Sequence, residues 1–351
     1  MQVRDDFLVQ LSYWFFCELK KVWYNSAISH NRSGMMGKDS SFIWSALIHV
    51  GTRMWGDRPE NLHCDLQFDE GVYRAITERM REIGMNMVIL DIGESLVYPS
   101  HPELAIKGSW SPDKLHDEVV RLRKMGLEPI PKLNFSSTHD TWLGEYSRML
   151  STPTYYKVCE DVIRDVTQIF GKTRFFHLGY DEEAIGEQPK HLYAVARQGS
   201  LWWHDLEWFL GLTASMGTRP WIWADSFWRH PEEFAKRVPK SVMLSNWYYG
   251  RTFKEEGPFE RHYEKVRLHA YKALDKLGYE DIPCATNWLP NYYDTPENLV
   301  NWPMTVEYCR KNLSGNLKGF MMAPWAFTLE KERAFWMKAL DLVDTSIKSF
   351  S

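Results

Sequence analysis

Three consecutive carboxylic acids follow a short apolar stretch of the chain, with one residue, Tyr180, in between. The acids are Asp181, Glu182 and Glu183, and the stretch is RFFHLG at 174–179. Adjacent carboxylates are costly to remove from water together, so burial would raise the pKa of at least one into the range that a general acid needs. Acids are also favoured in the first turn of a helix. The spacing by itself therefore fits a general-acid site and an ordinary helix start equally well.

Polar and aromatic residues also end the other apolar stretches. These residues are Thr52 and Arg53, Asp91 and Glu94, Lys132, Asn134 and His139, Asp225, the run 246–249, the residues Asn287, Trp288 and 291–294, and Trp325. Hydrolysis of a glycoside needs a proton donor and stabilisation of an oxocarbenium-like transition state, and sugar rings stack on flat apolar faces. Carboxylates that converge with tryptophan and tyrosine would supply these needs.

The aromatic content is high, with 17 Trp, 17 Tyr and 18 Phe among 351 residues. This excess fits either a large core or a site that stacks on sugars. Lys and Arg number 42 against 46 Asp and Glu. This balance excludes polyanion binding as the main function of the protein. We therefore expect a carbohydrate partner and no nucleic acid.

One unit recurs along the chain: an amphipathic helix ends at a glycine, and an apolar, strand-like run follows. The glycines are Gly84, Gly126, Gly171, Gly217 and Gly278. Glycine accepts the left-handed conformation that ends many helices. The strand candidates are 44–51, 86–91, 128–133, 174–179, 220–225, 242–247, 283–288 and 319–325.

Eight strands that alternate with helices predict a (β/α)8 TIM barrel, with its active site at the carboxyl ends of the strands. An open doubly wound sheet is the alternative, but no Gly-rich phosphate turn follows any strand. We assign residues 42–351 to the barrel. Residues 1–41 are predicted to form an N-terminal helical extension, because apolar residues within 6–24 fall on one helical stripe.

Several kinds of site and location are not expected. The cysteines are scattered without metal-ligand spacing, so we predict no metal, no cofactor and no disulfide framework. No run reaches the roughly 18 apolar residues of a membrane span. The first residues lack the cleavage site of a signal peptide, so the expected location is cytoplasmic.

The segment HLGYDE at 177–182 resembles the fourth-strand motif H-x-G-G-D-E of glycoside hydrolase family 20, the β-N-acetylhexosaminidases. GLEPIPKLNFSSTH at 126–139 is similar to the family's third-strand segment, G-I-x-V-I-P-E-I-D-x-P-G-H, and GFMMAPW at 319–325 resembles its eighth-strand motif, G-G-x-x-x-x-W. The likeness covers residues 42–330. It implies a (β/α)8 barrel and retaining hydrolysis in which the 2-acetamido group of the sugar is the nucleophile.

The resemblance also implies roles for single residues. Glu182 corresponds to the general acid/base, and Asp181 to the carboxylate that orients the acetamido group. Arg53 matches the arginine that holds sugar hydroxyls, and Tyr292 or Tyr293 the tyrosine that binds the acetamido oxygen. The other predicted substrate contacts are polar or tryptophan residues of the strand ends, namely Asn134, His139, His177, Trp247, Trp288 and Trp325.

The sequence departs from the family pattern at several positions. Tyr180 replaces the second glycine of the fourth-strand motif, and Lys132 and Asn134 stand where the third-strand segment has Glu and Asp. Our hypothesis is a divergent β-N-acetylhexosaminidase. The alternatives are a glycosidase for sugars without an acetamido group, which would use a carboxylate nucleophile, and a non-catalytic barrel that binds glycans.

Overall fold

Alternating strands and helices make up the part of the chain that this computed structural model describes, residues 42–55, 62–183, 195, 197–250, 253–254, 256, 262–287 and 301–350. The chain divides into two compact units, Met1–Phe42 and Ile43–Ser351, and the second contains the barrel. The predicted N-terminal helical extension, 1–41, lies outside the described residues and stays a prediction.

Eight parallel strands form one sheet. They are β1 (Ile43–His49), β2 (Met87–Asp91), β3 (Glu128–Lys132), β4 (Phe175–His177), β5 (Arg219–Trp223), β6 (Met243–Ser245), β7 (Cys284–Ala285) and β8 (Gly319–Met322). The hydrogen-bonded order is β6-β5-β4-β3-β2-β1-β8-β7. Parallel bridges from Leu244 to Asp281 and from Trp247 to Cys284 join the two ends of this order. The predicted (β/α)8 TIM barrel is confirmed, and each predicted strand overlaps an observed one.

Helices connect successive strands, and one follows the last. They are α1 (Glu70–Glu82), α2 (Pro112–Lys124), α3 (Pro153–Phe170), α4 (Gly199–Ser215), α5 (Asp225–Arg229), α6 (Pro231–Arg237), α7 (His262–Lys276), α8 (Asn301–Asn312) and α9 (Arg333–Phe350). Short 3-10 turns lie at Arg53–Trp55, Gly93–Ser95, Pro102–Leu104, Thr141–Met149 and Glu330–Glu332.

Local sequence signals set the ends of these helices. The side chains of Ser111 and Thr152 accept backbone hydrogen bonds from the first turns of α2 and α3, each with proline at the start. The five helix-ending glycines all have positive φ, from 65° at Gly171 to 84° at Gly84. No helix within the described ranges is long and apolar enough to cross a membrane.

Inward-facing side chains fill the barrel, and the layer closest to the carboxyl ends of the first four strands is polar. His49, Asp91, Lys132 and His177 lie in register on neighbouring strands, and we call these four residues the polar belt. Lys132 Nζ lies 2.5 Å from Asp91 Oδ2, and His49 Nδ1 lies 3.2 Å from the same oxygen. All four residues are almost completely buried. A polar layer thus separates the apolar core from the carboxyl ends of the strands.

Candidate active site

The chain leaves strand geometry immediately after β4. Gly179, Tyr180 and Glu182 have φ values of 72°, 73° and 56°. Positive φ is uncommon outside glycine, and strained backbone tends to cluster at functional sites. Gly179 must be glycine, because a Cβ there would lie 2.0 Å from Asn134 Oδ1. In a regular strand Asp181 and Glu182 would point to opposite faces, and the turn brings both to one side.

Asp181 and Glu182 meet at one histidine. His139 Nε2 lies 3.5 Å from Asp181 Oδ2 and 3.3 Å from Glu182 Oε2. Asn134 Nδ2 donates to the other Asp181 oxygen at 2.9 Å, and His139 Nδ1 lies 2.9 Å from the carbonyl oxygen of Met54. The end of β3 thus orients the carboxylates that follow β4. The structure brings together four predicted site residues: Asn134, His139, Asp181 and Glu182.

A third carboxyl group, Asp225, joins this pair from the end of β5. Its Oδ2 accepts a hydrogen bond from the backbone N–H of Glu182 at 3.2 Å, and its Oδ1 accepts one from the Trp247 indole at 2.7 Å. We call Asp181, Glu182 and Asp225 the acid cluster. Asp225 links the turn after β4 to Trp247 at the end of β6.

Burial and mutual repulsion govern the charges of the acid cluster. Burial, together with the charges of Asp181 and Glu182, raises the pKa of Asp225 to about 8. Burial and the charge of Glu182 also raise the pKa of Asp181, against the opposing effect of His139. Burial alone would lower the pKa of His139, but the two carboxylates outweigh it and raise this pKa to about 10. Asp181 and Glu182 therefore face a cationic His139, and the raised pKa of Asp225 lets the cluster keep a proton near neutral pH.

The third acid of the run, Glu183, points away from the cluster. It forms two hydrogen bonds with the fully buried Arg197, at 2.6 and 3.0 Å, and accepts the backbone N–H of Ser137 at 2.6 Å. Arg197 also donates to Asp205 at 3.0 Å, and its guanidinium lies 4.6 Å from the centre of the Tyr180 ring. Arg197, Glu183 and Asp205, which we call the arginine clamp, hold the turn after β4 against α4.

Aromatic side chains surround the carboxyl ends of β5, β6 and β8. The Trp247 ring stacks on Tyr249 with centroids 5.0 Å apart, and the Trp325 indole donates to the Tyr249 hydroxyl at 3.0 Å. Trp325 also lies 5.9 Å from Trp223. Two of the predicted tryptophans therefore belong to one aromatic group in the barrel mouth.

The other predicted contacts have different surroundings. His177 is fully buried in the polar belt, where its Nδ1 accepts the N–H of Gly179 at 3.0 Å and burial lowers its pKa. The Arg53 guanidinium donates to the carbonyl oxygen of His63 at 3.1 Å. The next residue, Met54, supplies the carbonyl oxygen that lies near His139 Nδ1. His177 shapes the turn before the acids. Trp288, Tyr292 and Tyr293 lie outside the described residues, so their predicted roles stay predictions.

Sequence reasoning missed two parts of this arrangement. Asp225 stood among the strand-end residues but was not predicted to contact the acids, although it follows β5 as Asp181 follows β4. Arg197 gave no sequence signal, because its partners are identified only by the fold. Among the described residues, no group of three His, Cys, Asp or Glu side chains could hold a metal ion.

Comparison with known proteins identifies relatives of the fold. No family model matches the sequence, and neither does any curated protein. The fold is similar to a β-N-acetylhexosaminidase from Bacteroides fragilis, with a TM-score of 0.56 and 13% identity over 86% of this chain and 65% of that one. It is also similar to a family 20 β-N-acetylhexosaminidase from Streptomyces coelicolor, with a TM-score of 0.58 and 14% identity over 87% of this chain and 64% of that one.

A third similar structure is Dispersin B, with a TM-score of 0.57 and 12% identity over 88% of this chain and 99% of that one. This chain thus spans slightly less than two thirds of the two hexosaminidases and nearly all of Dispersin B. At these identities the likeness establishes a shared barrel fold.

Proposed function

We propose that this chain is a divergent member of glycoside hydrolase family 20 that removes β-linked N-acetylhexosamine from a glycan by substrate-assisted hydrolysis. The observation that carries the proposal is the meeting of Asp181 and Glu182 at His139 Nε2, at the strand end where the motif HLGYDE predicts a catalytic pair. The barrel shared with known hexosaminidases supports it.

In the proposed reaction the substrate supplies the nucleophile. The carbonyl oxygen of the 2-acetamido group attacks the anomeric carbon, the bond to the leaving oxygen breaks, and Glu182 gives its proton to that oxygen. Asp181 holds the acetamido N–H and stabilises the positive charge of the cyclic intermediate. Water then attacks the anomeric carbon, the bond from that carbon to the acetamido oxygen breaks, and the water gives a proton back to Glu182. The two displacements each invert the anomeric carbon, so the overall configuration is retained.

The positions of the carboxyl groups favour this reaction over a protein nucleophile. A nucleophile and an acid must flank the sugar with their carboxyl groups ~5–5.5 Å apart across the glycosidic bond. Asp181 and Glu182 both contact the same nitrogen of His139, so this histidine, rather than an open space for a sugar, joins their carboxyl groups. Asp225 has a pKa of about 8 and so holds a proton at neutral pH, which makes it a poor nucleophile.

The remaining site residues would bind the sugar. Trp247 and Trp325 offer flat faces for the ring, and Asn134 and His139 fix the two catalytic carboxylates. Arg53 would hold sugar hydroxyls, while His177 would act through the turn that it shapes. Trp288 and one of Tyr292 and Tyr293 would complete the wall of the pocket and bind the acetamido oxygen.

The test compares leaving groups in Glu182→Gln. Loss of the proton donor should lower the rate on a β-linked disaccharide by about 10²–10⁴-fold, but should spare an activated aryl N-acetyl-β-glucosaminide much more. Asp181→Asn should sharply weaken binding of a thiazoline that mimics the cyclic intermediate. The exposed Glu145→Gln is the control and should match the wild type.

Other results would point elsewhere. Equal damage to both substrate classes would remove Glu182 from the acid role. A covalent glycosyl-enzyme trapped with a fluorosugar would indicate a carboxylate nucleophile. A wild-type protein that binds glycans and hydrolyses neither substrate would be a non-catalytic barrel.

A further inference from the structure

A cavity of about 620 Å³ lies against the outer side of the acid cluster. Glu182 and Asp225 line it, and the rest of the wall comes from the turn after β4, from Arg197 and the start of α4, from α5 and α6, and from Arg267 of α7. A general acid protonates the leaving oxygen, so the leaving group must lie next to Glu182. Among the described residues, this cavity provides space for a leaving group next to Glu182.

Two half-buried tryptophans contribute to the cavity wall. Trp202 belongs to α4, and its ring meets Tyr180 edge-on with centroids 5.2 Å apart. Trp228 belongs to α5, where its indole donates to Asn246 at 2.8 Å and its ring contacts Trp247 at 4.8 Å. Indoles held rigidly with one part exposed suit the apolar face of a sugar.

The charges of the cavity are unevenly neutralised. Glu183 pairs with Arg197, and Glu233 pairs with Arg237. By contrast, the exposed Arg229 has no ion-pair partner among the residues that the structure describes. Within the part of the chain that the structure describes, Arg229 is therefore available to bind an anion.

Arg229 is placed to reach a group on the leaving sugar. It lies four residues after Asp225 on α5, so the two side chains share one face of the helix, about 6 Å apart along its axis. Asp225 contacts the backbone of Glu182. A substituent on a sugar whose bridging oxygen lies at Glu182 would extend toward the guanidinium, which binds carboxylates and sulfates well.

We propose that this cavity binds the leaving-group sugar and favours one that carries an anionic substituent, either a carboxylate or a sulfate. The inference rests on the proposed function, because it takes Glu182 as the proton donor. It adds a substrate class: N-acetylhexosamine β-linked to a uronic acid or to a sulfated sugar.

The experiment uses three substrates that differ only in the leaving sugar. N-acetylglucosamine is β-linked to glucose, to glucuronate or to glucose 6-sulfate, and kcat/KM is measured for each. We expect at least one anionic substrate to exceed the neutral one by about tenfold, as for one charge-assisted hydrogen bond at a partly exposed site. Arg229→Gln should abolish this advantage, whereas the exposed Arg81→Gln should keep it. The glucuronate and sulfate arms identify the preferred anion.

The failures of the two proposals can be told apart. Equal kcat/KM for all three substrates, or an advantage that survives Arg229→Gln, would overturn the anion site while leaving the hydrolase intact. If the aryl glycoside and all three disaccharides resist hydrolysis, the proposed function fails. Calorimetry then measures how tightly the protein binds the same disaccharides. Equal affinity for the neutral and anionic sugars would overturn the proposed anion preference of the cavity.

Discussion

The arginine clamp offers a quantitative test of how the turn after β4 is held. Arg197→Met removes the cation that binds Glu183 and Asp205 but keeps an apolar side chain of similar length. The side chains of Arg197 and Asp205 are 0% exposed and that of Glu183 is 4% exposed. The substitution would therefore leave two carboxylates buried without their partner.

Breaking a buried ion pair by removing one member costs ~3–5 kcal/mol, because a charge remains in a low-dielectric site. We expect the free energy of unfolding to fall by this amount at pH 8. The loss should be smaller at pH 5. An unpaired buried carboxylate has a raised pKa in the folded state, so its protonated form favours folding at low pH and this contribution disappears as the pH rises.

Urea unfolding, followed by tryptophan fluorescence at both pH values, measures the change. Arg164→Met is the control, since Arg164 forms an exposed helical pair with Glu160 that contributes ~0–1 kcal/mol. Adding Glu183→Gln to Arg197→Met should recover part of the loss by removing one buried charge. A loss below ~1 kcal/mol for Arg197→Met, equal to that of the control, would refute this account of the clamp.

Two further predictions concern residues next to the acids. Tyr180→Phe should change the rate less than tenfold, or ~1.4 kcal/mol, and should leave the preference between gluco and galacto substrates unchanged. The reason is that the ring packs against Trp202 and Phe209 behind the acids. A changed preference in paired kinetic assays would place the Tyr180 hydroxyl on the substrate. The pKa of His139 is raised from 6.5 to about 10, so protonated His139 should stabilise the folded state. This contribution, roughly 1.4 kcal/mol for each unit by which the pKa is raised, should be complete below pH 6.5 and disappear as the pH approaches 10. The difference in the free energy of unfolding between the wild type and His139→Asn should therefore be much larger at pH 6.5 than at pH 10. The same difference at both pH values in urea titrations would contradict the raised pKa.

The barrel could be predicted from the sequence because its signals are local. Each strand is a short apolar run, and five of the strands follow a helix that ends at a glycine whose positive φ the structure confirms. Proline and a capping hydroxyl mark the starts of α2 and α3. Repetition of these signals along the chain predicts a closed parallel barrel, and the barrel predicts the edge at which the site lies.

The acid pair was also visible in the sequence, but its surroundings were not. The strand rule alone would send Asp181 and Glu182 to opposite faces, and only the turn with positive φ at Gly179 and Tyr180 brings them together. Asp225 meets Glu182 across 43 residues of sequence, and Lys132 meets Asp91 across 41. No local pattern specifies such partners.

The sequence by itself determined the strand count, the helix ends and the run of acids, because backbone propensity and apolar periodicity act between near neighbours. Only the tertiary structure decided which acid faces the barrel mouth and which pairs with Arg197, and what charges they carry. Those outcomes depend on burial and on distances between side chains from different strands. Closure of the barrel sets these distances, and in a low-dielectric interior an ångström changes which partner neutralises a charge.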